Sequence, residues 1–263
     1  MRLMTKHAGL EICCGDIHSV AAARKGGAER IELCCGLSDG GLTPSEGIIA
    51  FAAASGIGEI NVLIRPRPGD FLYDHEETLL MEHDIRTAVG AGATGVVIGA
   101  LTADGDIDME VCRRLSDAAR NAGERLGRKV NLTFHRAFDV SRNAERSIND
   151  IAALGCDCLL TSGMAASADK GIPNLRDAVR LAAGRFTVMA GSGVNPGNAA
   201  EILSQTGVGA LHATARRPHE SGMKFRRSGV PMGAPGSDEY MMPVTAPDIV
   251  ARLLEITRNH TIR

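Results

Sequence analysis

Short apolar runs alternate with longer amphipathic segments along the chain, and the alternation repeats eight times. Apolar runs of about four to eight residues are typical of buried strands, and the segments between them have helical spacing. No Pro- or Ser-rich linker divides the 263 residues, so the pattern predicts a single domain. The predicted strands cover residues 10–14, 30–35, 60–65, 95–100, 130–136, 158–162, 186–190 and 210–214.

Eight strand-plus-helix units predict an α/β fold of the (β/α)8 TIM-barrel type. A doubly wound open sheet uses similar local patterns, but no GxGxxG motif follows the first strand. We therefore favour the barrel. Typical capping residues mark the predicted helix starts at Asp16, at Thr43-Pro44-Ser45-Glu46 and at Asn195-Pro196, and glycines mark helix ends at Gly26-Gly27, Gly92 and Gly155.

The charge balance excludes several classes of partner. With 29 basic and 31 acidic residues the net charge is −2, so no bulk attraction to nucleic acid or to an anionic membrane is expected. Aromatic residues make up only 3% of the chain, which leaves few platforms for base stacking. We expect neither a nucleic-acid partner nor a membrane partner.

Seven cysteines and an unremarkable N-terminus indicate a reducing compartment. The first residues lack the apolar segment of a signal peptide, and no stretch of about 18 apolar residues exists. An odd number of cysteines without an export signal predicts free thiols. The expected location is the cytoplasm.

Two predicted strands nearly repeat each other, as LEICCG at 10–15 and IELCCG at 31–36. Side chains alternate between the two faces of a strand, so Glu11 shares a face with Cys13, and Glu32 shares a face with Cys34. The outer face of a barrel meets apolar helices, and the carboxylates are therefore predicted to point inward. The neighbouring Cys14 and Cys35 should face the helices.

The same alternation places cationic and titratable side chains near the ends of other strands. Glu11, Glu32, Arg65, His135 and His212 would each be costly to bury alone, so they should pair, bind solvent or bind a ligand. Barrel active sites lie at this end. One hypothesis makes a glutamate the general base, a histidine the acid and Arg65 the anchor for an anionic substrate. The alternative is a satisfied salt-bridge network that lines the barrel mouth.

Residues that follow the seventh and eighth predicted strands suggest a binding site for the anionic group of such a substrate. Gly191, Ser192 and Gly193 follow the seventh predicted strand, where backbone N–H groups often bind phosphate, and Arg216 follows the eighth. Glycine after a strand and a solvated loop arginine are the alternative interpretations. The segment 217–243 is predicted to be a long loop between the eighth strand and the eighth helix.

Eight motifs occur in one order along the chain: RIELC at 30–34, GGLTPS at 40–45, IRPR at 64–67, GDFLY at 69–73, GALT at 99–102, TFHRAFD at 133–139, LTSG at 160–163 and SGMKFR at 221–226. In this order they resemble the CutC family, which is described as copper homeostasis proteins. The resemblance covers nearly the whole chain and implies a cytosolic TIM barrel that forms homo-oligomers, either dimers or tetramers. It also implies copper(I) binding by cysteines near the ends of the first two strands, which correspond to Cys13 and Cys34.

Two functions remain open from the sequence. Soft thiolates suit copper(I), and the first hypothesis is a protein that binds this ion and takes part in copper handling. Buried thiols also serve as small apolar side chains, which is the structural alternative for Cys13 and Cys34. The second hypothesis is a hydrolase, lyase or isomerase that acts on a small anionic or phosphorylated metabolite. Cys156 and Cys158 are expected to lie away from the site.

Overall fold

Eight parallel strands close into a ring in which each strand pairs with its neighbours in sequence and β1 pairs with β8. The structure, a computed structural model, describes residues 7–227, 229–230, 232 and 238–261. The TIM-barrel prediction is confirmed, and the open sheet is excluded. The strands are β1 Gly9–Cys14, β2 Arg30–Leu33, β3 Glu59–Leu63, β4 Gly95–Ile98, β5 Asn131–Phe134, β6 Cys158–Thr161, β7 Thr187–Ala190 and β8 Ala210–Ala213.

Helices follow the strands and form the outer layer of the barrel. The best-defined start is that of α3, where Asp74 accepts from the backbone N–H of Glu77 and the Glu77 side chain accepts from that of Asp74. Among the described residues, none of the helices has the length and apolar character needed to cross a bilayer. The helices are α1 Ile17–Lys25, α2 Glu46–Ala53, α3 His75–Gly90, α4 Met109–Arg125, α5 Ala144–Ala153, α6 Ile172–Ala182, α7 Ala199–Thr206 and α8 Pro247–Arg258.

Most predicted strands extend beyond the observed ones at their C-terminal ends. β3 ends at Leu63, and the backbone N–H of Arg65 donates to the Thr43 hydroxyl instead of to a strand. β5 ends at Phe134, because His135 caps a short 3-10 helix over Arg136–Val140. The chain thus leaves the sheet at the positions where polar side chains begin.

The predicted loop at 217–243 contains regular structure. β9 Arg216–Glu220 and β10 Met241–Thr245 form an antiparallel pair, with Arg217 opposite Val244. Sequence patterns did not indicate these strands because both are largely exposed and lack apolar alternation. Residues 228, 231 and 233–237 of this segment, like residues 1–6, 262 and 263, lie outside the described part.

The prediction for the start of α7 is also wrong. The N-cap is Asn198 and not Asn195, because Asn195 and Pro196 lie in a turn closed by side chains. Asn195 Oδ1 accepts from the N–H of Gly197 at 2.8 Å, and Asn198 Oδ1 accepts from the N–H of Asn195 at 2.9 Å. The predicted glycine segment at 191–193 therefore does not lie at a helix N-terminus.

Because side chains alternate along the strands, one large apolar core lies between the strands and the helices, and two smaller apolar clusters lie inside the ring. Outward side chains such as Ile12, Leu33 and Val62 pack beneath the helices in one large core. Inside the ring, Cys13 and Cys34 pack with Leu63 and Val97, which gives a small upper cluster. The lower cluster inside the ring consists of Cys158, Leu160, Met189 and Ala210.

Candidate functional site

A cavity of about 460 Å³ opens at the C-terminal ends of the strands. This volume lies within the range of about 300–1,000 Å³ that is usual for small-molecule sites. Glu11 and Gly191 do not line it, although both are among the predicted site residues. The predicted residues that do line it are Cys13, Cys34, Glu32, Arg65, His135, His212, Ser192, Gly193 and Arg216.

The thiols of Cys13 and Cys34 face each other in this cavity. Their Sγ atoms lie 3.7 Å apart, and both side chains are buried free thiols. The hydrogen bond with Cys34 and burial together raise the pKa of the Cys13 thiol well above its usual value. In contrast, Cys14 belongs to the outer core, and Cys35 donates to the carbonyl oxygen of Thr43 at 3.1 Å.

Glu32 has a buried carboxyl group, and one of its two oxygen atoms makes no hydrogen bond within the described part of the chain. The register pairs it with Cys13, whose Sγ donates to Glu32 Oε1 at 3.7 Å. Glu32 Oε2 has no hydrogen-bond partner among the described residues. Burial raises the pKa of Glu32 to about 7. The positive charge of His212 opposes this rise, and the negative charge of Glu11 adds to it. Such a group can both accept and donate a proton near neutral pH.

Glu11 and His212 form a pair at the seam where β1 meets β8. Glu11 Oε1 lies 2.9 Å from His212 Nδ1, while Glu11 Oε2 accepts from Arg30 Nε at 2.7 Å and from Asn61 Nδ2 at 2.8 Å. Burial opposes ionisation of Glu11, but the charges of Arg30 and His212 and these hydrogen bonds lower its pKa to about 2. Glu11 is therefore an ionised, fully bonded group that orients its partners.

His212 is positively charged by its surroundings. Burial disfavours the cation, but the charge of Glu32 and the hydrogen bond with Glu11 raise the pKa of His212 well above its usual value. Because Glu11 occupies Nδ1, the Nε2 atom is the nitrogen left for a ligand. The ligand atoms of Cys13, Glu32 and His212 all lie within 4.8 Å of one another, a spacing at which three side chains can hold one metal ion.

Arg65 is held by the backbone. Its guanidinium donates to the carbonyl oxygens of Asp39 at 2.9 Å, Gly41 at 3.0 Å and Gly69 at 2.8 Å. Its Nε atom has no acceptor among the described residues. Arg65 thus stabilises two loops at the mouth and keeps a donor and an unpaired charge for a ligand.

His135 is kept neutral. Burial and the nearby charge of Arg65 lower its pKa to about 3. Its Nδ1 accepts from the backbone N–H of Ala137 at 3.2 Å, so the ring proton resides on Nε2, which has no partner in the described part of the chain. A neutral imidazole of this kind is a hydrogen-bond donor, and the predicted role of proton donor for His135 would require a very basic acceptor.

Only some of the residues predicted to bind an anion line the cavity. The N–H of Gly191 donates to the carbonyl oxygen of Thr161 at 2.9 Å, and a Cβ atom here would lie 2.5 Å from Leu160 Cδ1. A side chain at Gly191 would therefore have to displace the end of Leu160. Ser192 and Gly193 line the cavity, as does Arg216.

Three residues of the site were not predicted from the sequence. Arg30 and Asn61 fix Glu11, and Phe71 places its ring 5.0 Å from that of His135. Alternation from Glu32 already points Arg30 inward, and this signal was available in the sequence. The position of Phe71 depends on the loop after β3 and had no such signal.

The chain matches the model of the CutC family over residues 8–217. It is 45% identical to the family protein CutC of Chromobacterium violaceum over 246 residues, which cover 94% of this chain and 96% of that protein. It is also 45% identical to the family protein CutC of Aliivibrio fischeri over 236 residues, which cover 90% and 93% of the two chains.

Solved structures agree with this relationship. A protein from Streptococcus agalactiae assigned as copper homeostasis protein CutC superposes with a TM-score of 0.72 at 32% identity, covering 79% of this chain and 98% of that chain. A thiamine phosphate pyrophosphorylase from Pyrococcus furiosus shares only the fold, with a TM-score of 0.54 and 16% identity over 95% of each chain. The family match and the long alignments together show that the chain belongs to the CutC family.

Proposed function

We propose that this protein binds copper(I) through Cys13 and Cys34 and takes part in copper homeostasis in the cytoplasm. The observation that carries the proposal is the 3.7 Å separation of the two Sγ atoms inside the barrel mouth. Soft thiolate ligands select copper(I) over harder divalent ions. The name of the Streptococcus agalactiae relative, a copper homeostasis protein, supports the same function.

His212 is the third ligand in this proposal. Because Glu11 holds Nδ1, Nε2 is the nitrogen that would bind the ion, after losing its proton, and a carboxylate behind a ligating histidine is the usual means of fixing the ring. Glu32 lies in the same group of three side chains. Its harder oxygen suits copper(I) less well, so we assign it to accepting one of the protons that Cys13, Cys34 and His212 release on loading, while the other protons pass to solvent.

An anaerobic competition titration against a copper(I) chelator tests the site. We expect Cys13→Ser and Cys34→Ser each to weaken binding, because each removes one thiolate. Cys35→Ser is the matched control, since this residue neighbours Cys34 but bonds to the Thr43 carbonyl outside the cavity. Cys156→Ser, at a buried thiol in the outer core, is the second control. Equal affinity in wild type and all four variants would end the assignment.

A second candidate is an enzyme that moves protons on a small anionic metabolite. The specific observation is the unbonded, buried Glu32 Oε2 beside His212. We assign Glu32 as the general base and His212 as the acid, and the chemistry would be that of a hydrolase, lyase or isomerase. A thermal-shift screen of small acids and phosphoesters tests it. No hit with wild type, and a Glu32→Gln variant that behaves as wild type throughout, would count against catalysis.

We also propose that the protein is a homo-oligomer, either a dimer or a tetramer. Apolar side chains on two neighbouring helices are nearly half exposed, namely Phe51 on α2 and Leu79 and Leu80 on α3. Burial of such side chains between copies would be favourable. Light scattering coupled to size exclusion should give a multiple of 27.6 kDa.

A further inference from the structure

The lining of the cavity carries an excess of positive charge. Three arginines line it, Arg65, Arg136 and Arg216, against one carboxyl group, that of Glu32. Arg136 is neutralised by Asp139, with Nε 2.8 Å from Oδ2. Arg65 and Arg216 have no ion-pair partner in the part of the chain that the structure describes. Two unneutralised cations therefore face one cavity.

The burial of Arg65 makes its unpaired charge costly. Only 7% of the residue is exposed, and its hydrogen bonds go to backbone carbonyl oxygens, which carry no net charge. A buried cation without an anion is destabilising, because nothing offsets the desolvation of its charge. A bound anion would remove that penalty, and the free Nε donor would contact it.

The wall around Arg65 has a second unused donor. His135 carries its proton on Nε2, which is buried and has no acceptor among the described residues. Arg65 lies over the Phe71 ring at 5.1 Å, and the His135 ring lies 5.0 Å from the same ring, so the three side chains form one surface. Two donors on this surface match the two oxygens of a carboxylate.

The opposite wall offers donors of another kind. In a closed ring of eight strands β7 lies four strands from β3, which is directly across the barrel. After β7, Ser192 and Gly193 adopt left-handed conformations with φ of 77° and 76°. The backbone N–H groups of Ser192, Gly193 and Val194 have no acceptor among the described residues, and all three residues line the cavity.

Ser192 is strained in this conformation, because a residue with a Cβ atom is rarely stable at positive φ. Arg216 follows β8 on the same side of the cavity. Successive free N–H groups with an arginine nearby are the donor set that binds phosphate oxygens.

We propose that the cavity binds a small phosphorylated carboxylic acid, with its phosphate at residues 192–194 and Arg216 and its carboxylate at Arg65 and His135. The middle of such a ligand would lie beside Glu32, which lines the same cavity. This inference does not rest on copper binding. It specifies the substrate class for the second candidate function.

Isothermal titration of the metal-free, full-length protein tests the proposal. The probes are 3-phosphoglycerate, which has both anionic groups, glycerol 3-phosphate, which has only the phosphate, and glycerate, which has only the carboxylate. We expect 3-phosphoglycerate to bind at least about tenfold more tightly than either of the others. Equal affinities for the three, or no binding of any, would overturn the proposal.

Variants separate the two ends of the site. Arg216→Gln should weaken 3-phosphoglycerate and glycerol 3-phosphate by about tenfold and leave glycerate unchanged. His135→Asn should weaken 3-phosphoglycerate and glycerate and leave glycerol 3-phosphate unchanged. The control is Arg217→Gln, because Arg217 neighbours Arg216 but pairs with Asp248 at 2.6 Å, away from the cavity.

Two further results decide the outcome. If Arg217→Gln weakens the phosphate probes as much as Arg216→Gln does, the attraction is a bulk charge effect and the site assignment is wrong. Cys35→Ser, at a thiol bonded to the Thr43 carbonyl oxygen outside the cavity, should leave binding of 3-phosphoglycerate unchanged. Because the titration uses metal-free protein, a failure of the copper proposal does not affect this test. Loss of binding in that variant would contradict the placement of the anion inside the cavity.

Discussion

Glu11 on β1 and His212 on β8 join the first and last strands of the barrel by a 2.9 Å contact between Oε1 and Nδ1. The pair lies at the seam where the ring closes, and of the two residues His212 lines the cavity and Glu11 does not. It also fixes the orientation of the imidazole whose other nitrogen is available to a ligand. One buried carboxylate thus contributes both to the fold and to the geometry of the site.

Replacing Glu11 should destabilise the protein strongly. Glu11→Gln leaves the partly buried Arg30 without its closest anion, and removing one member of a buried pair costs roughly 3–5 kcal/mol. Glu59→Gln is the control, because Glu59 faces the same arginine at 3.8 Å but is half exposed, and its loss should cost less than about 1 kcal/mol. Urea unfolding measures both, and equal losses would contradict the role given to Glu11.

His135 should make the protein less stable in mild acid. Burial and Arg65 lower its pKa to about 3 in the folded protein, whereas the ordinary pKa of histidine is 6.5. Between these two pH values the unfolded chain therefore binds more protons than the folded chain. Stability from this group is complete above about pH 6.5 and falls with pH, by roughly 2 kcal/mol between about pH 7 and pH 5.

The variant His135→Asn isolates this contribution. The Asn oxygen can accept from the N–H of Ala137 as Nδ1 does, but the side chain does not titrate. The difference in unfolding free energy between wild type and variant should therefore shrink as the pH falls from about 7 to about 5. A difference that stays constant over this range would show that His135 does not titrate as described.

Gly99 should not tolerate a side chain. A Cβ atom at this position would lie 2.5 Å from Cε1 and 2.6 Å from Nδ1 of His135, so Gly99→Ala should cost about 1–3 kcal/mol and displace the ring. At Gly90, the last residue of α3, a Cβ atom meets nothing within 4 Å, and Gly90→Ala should stabilise by about 0.5–1 kcal/mol. Thermal unfolding checks the opposite signs, and a stable Gly99→Ala protein would contradict the packing.

The sequence was sufficient to predict the barrel and many of the residues that line the mouth, because both depend on periodicity. Alternation along each strand put Cys13, Glu32 and His212 on the inner face, and the ring closed as expected. The same rule could not rank Glu11 against Glu32. Glu11 lies one layer deeper and is saturated by hydrogen bonds, whereas Glu32 keeps a free oxygen, and this difference depends on depth along the strand.

Features that depend on contacts between distant loops were not predictable. The backbone bonds of Arg65 to Asp39, Gly41 and Gly69 combine two loops whose shapes follow no periodic pattern. The pairing of β9 with β10 joins two exposed segments about twenty residues apart in the chain. Local propensity carries little information about such pairings, because the stabilising contacts are long-range.

X-ray absorption at the copper edge, on protein loaded anaerobically with one equivalent of copper(I), tests the central claim most directly. The fine structure should require two sulfur neighbours in wild type and in Cys35→Ser, and one sulfur neighbour in Cys34→Ser, because Cys13 and Cys34 supply the two thiolates. An unchanged sulfur count in Cys34→Ser, or a wild-type spectrum fitted by nitrogen and oxygen alone, would contradict the assignment.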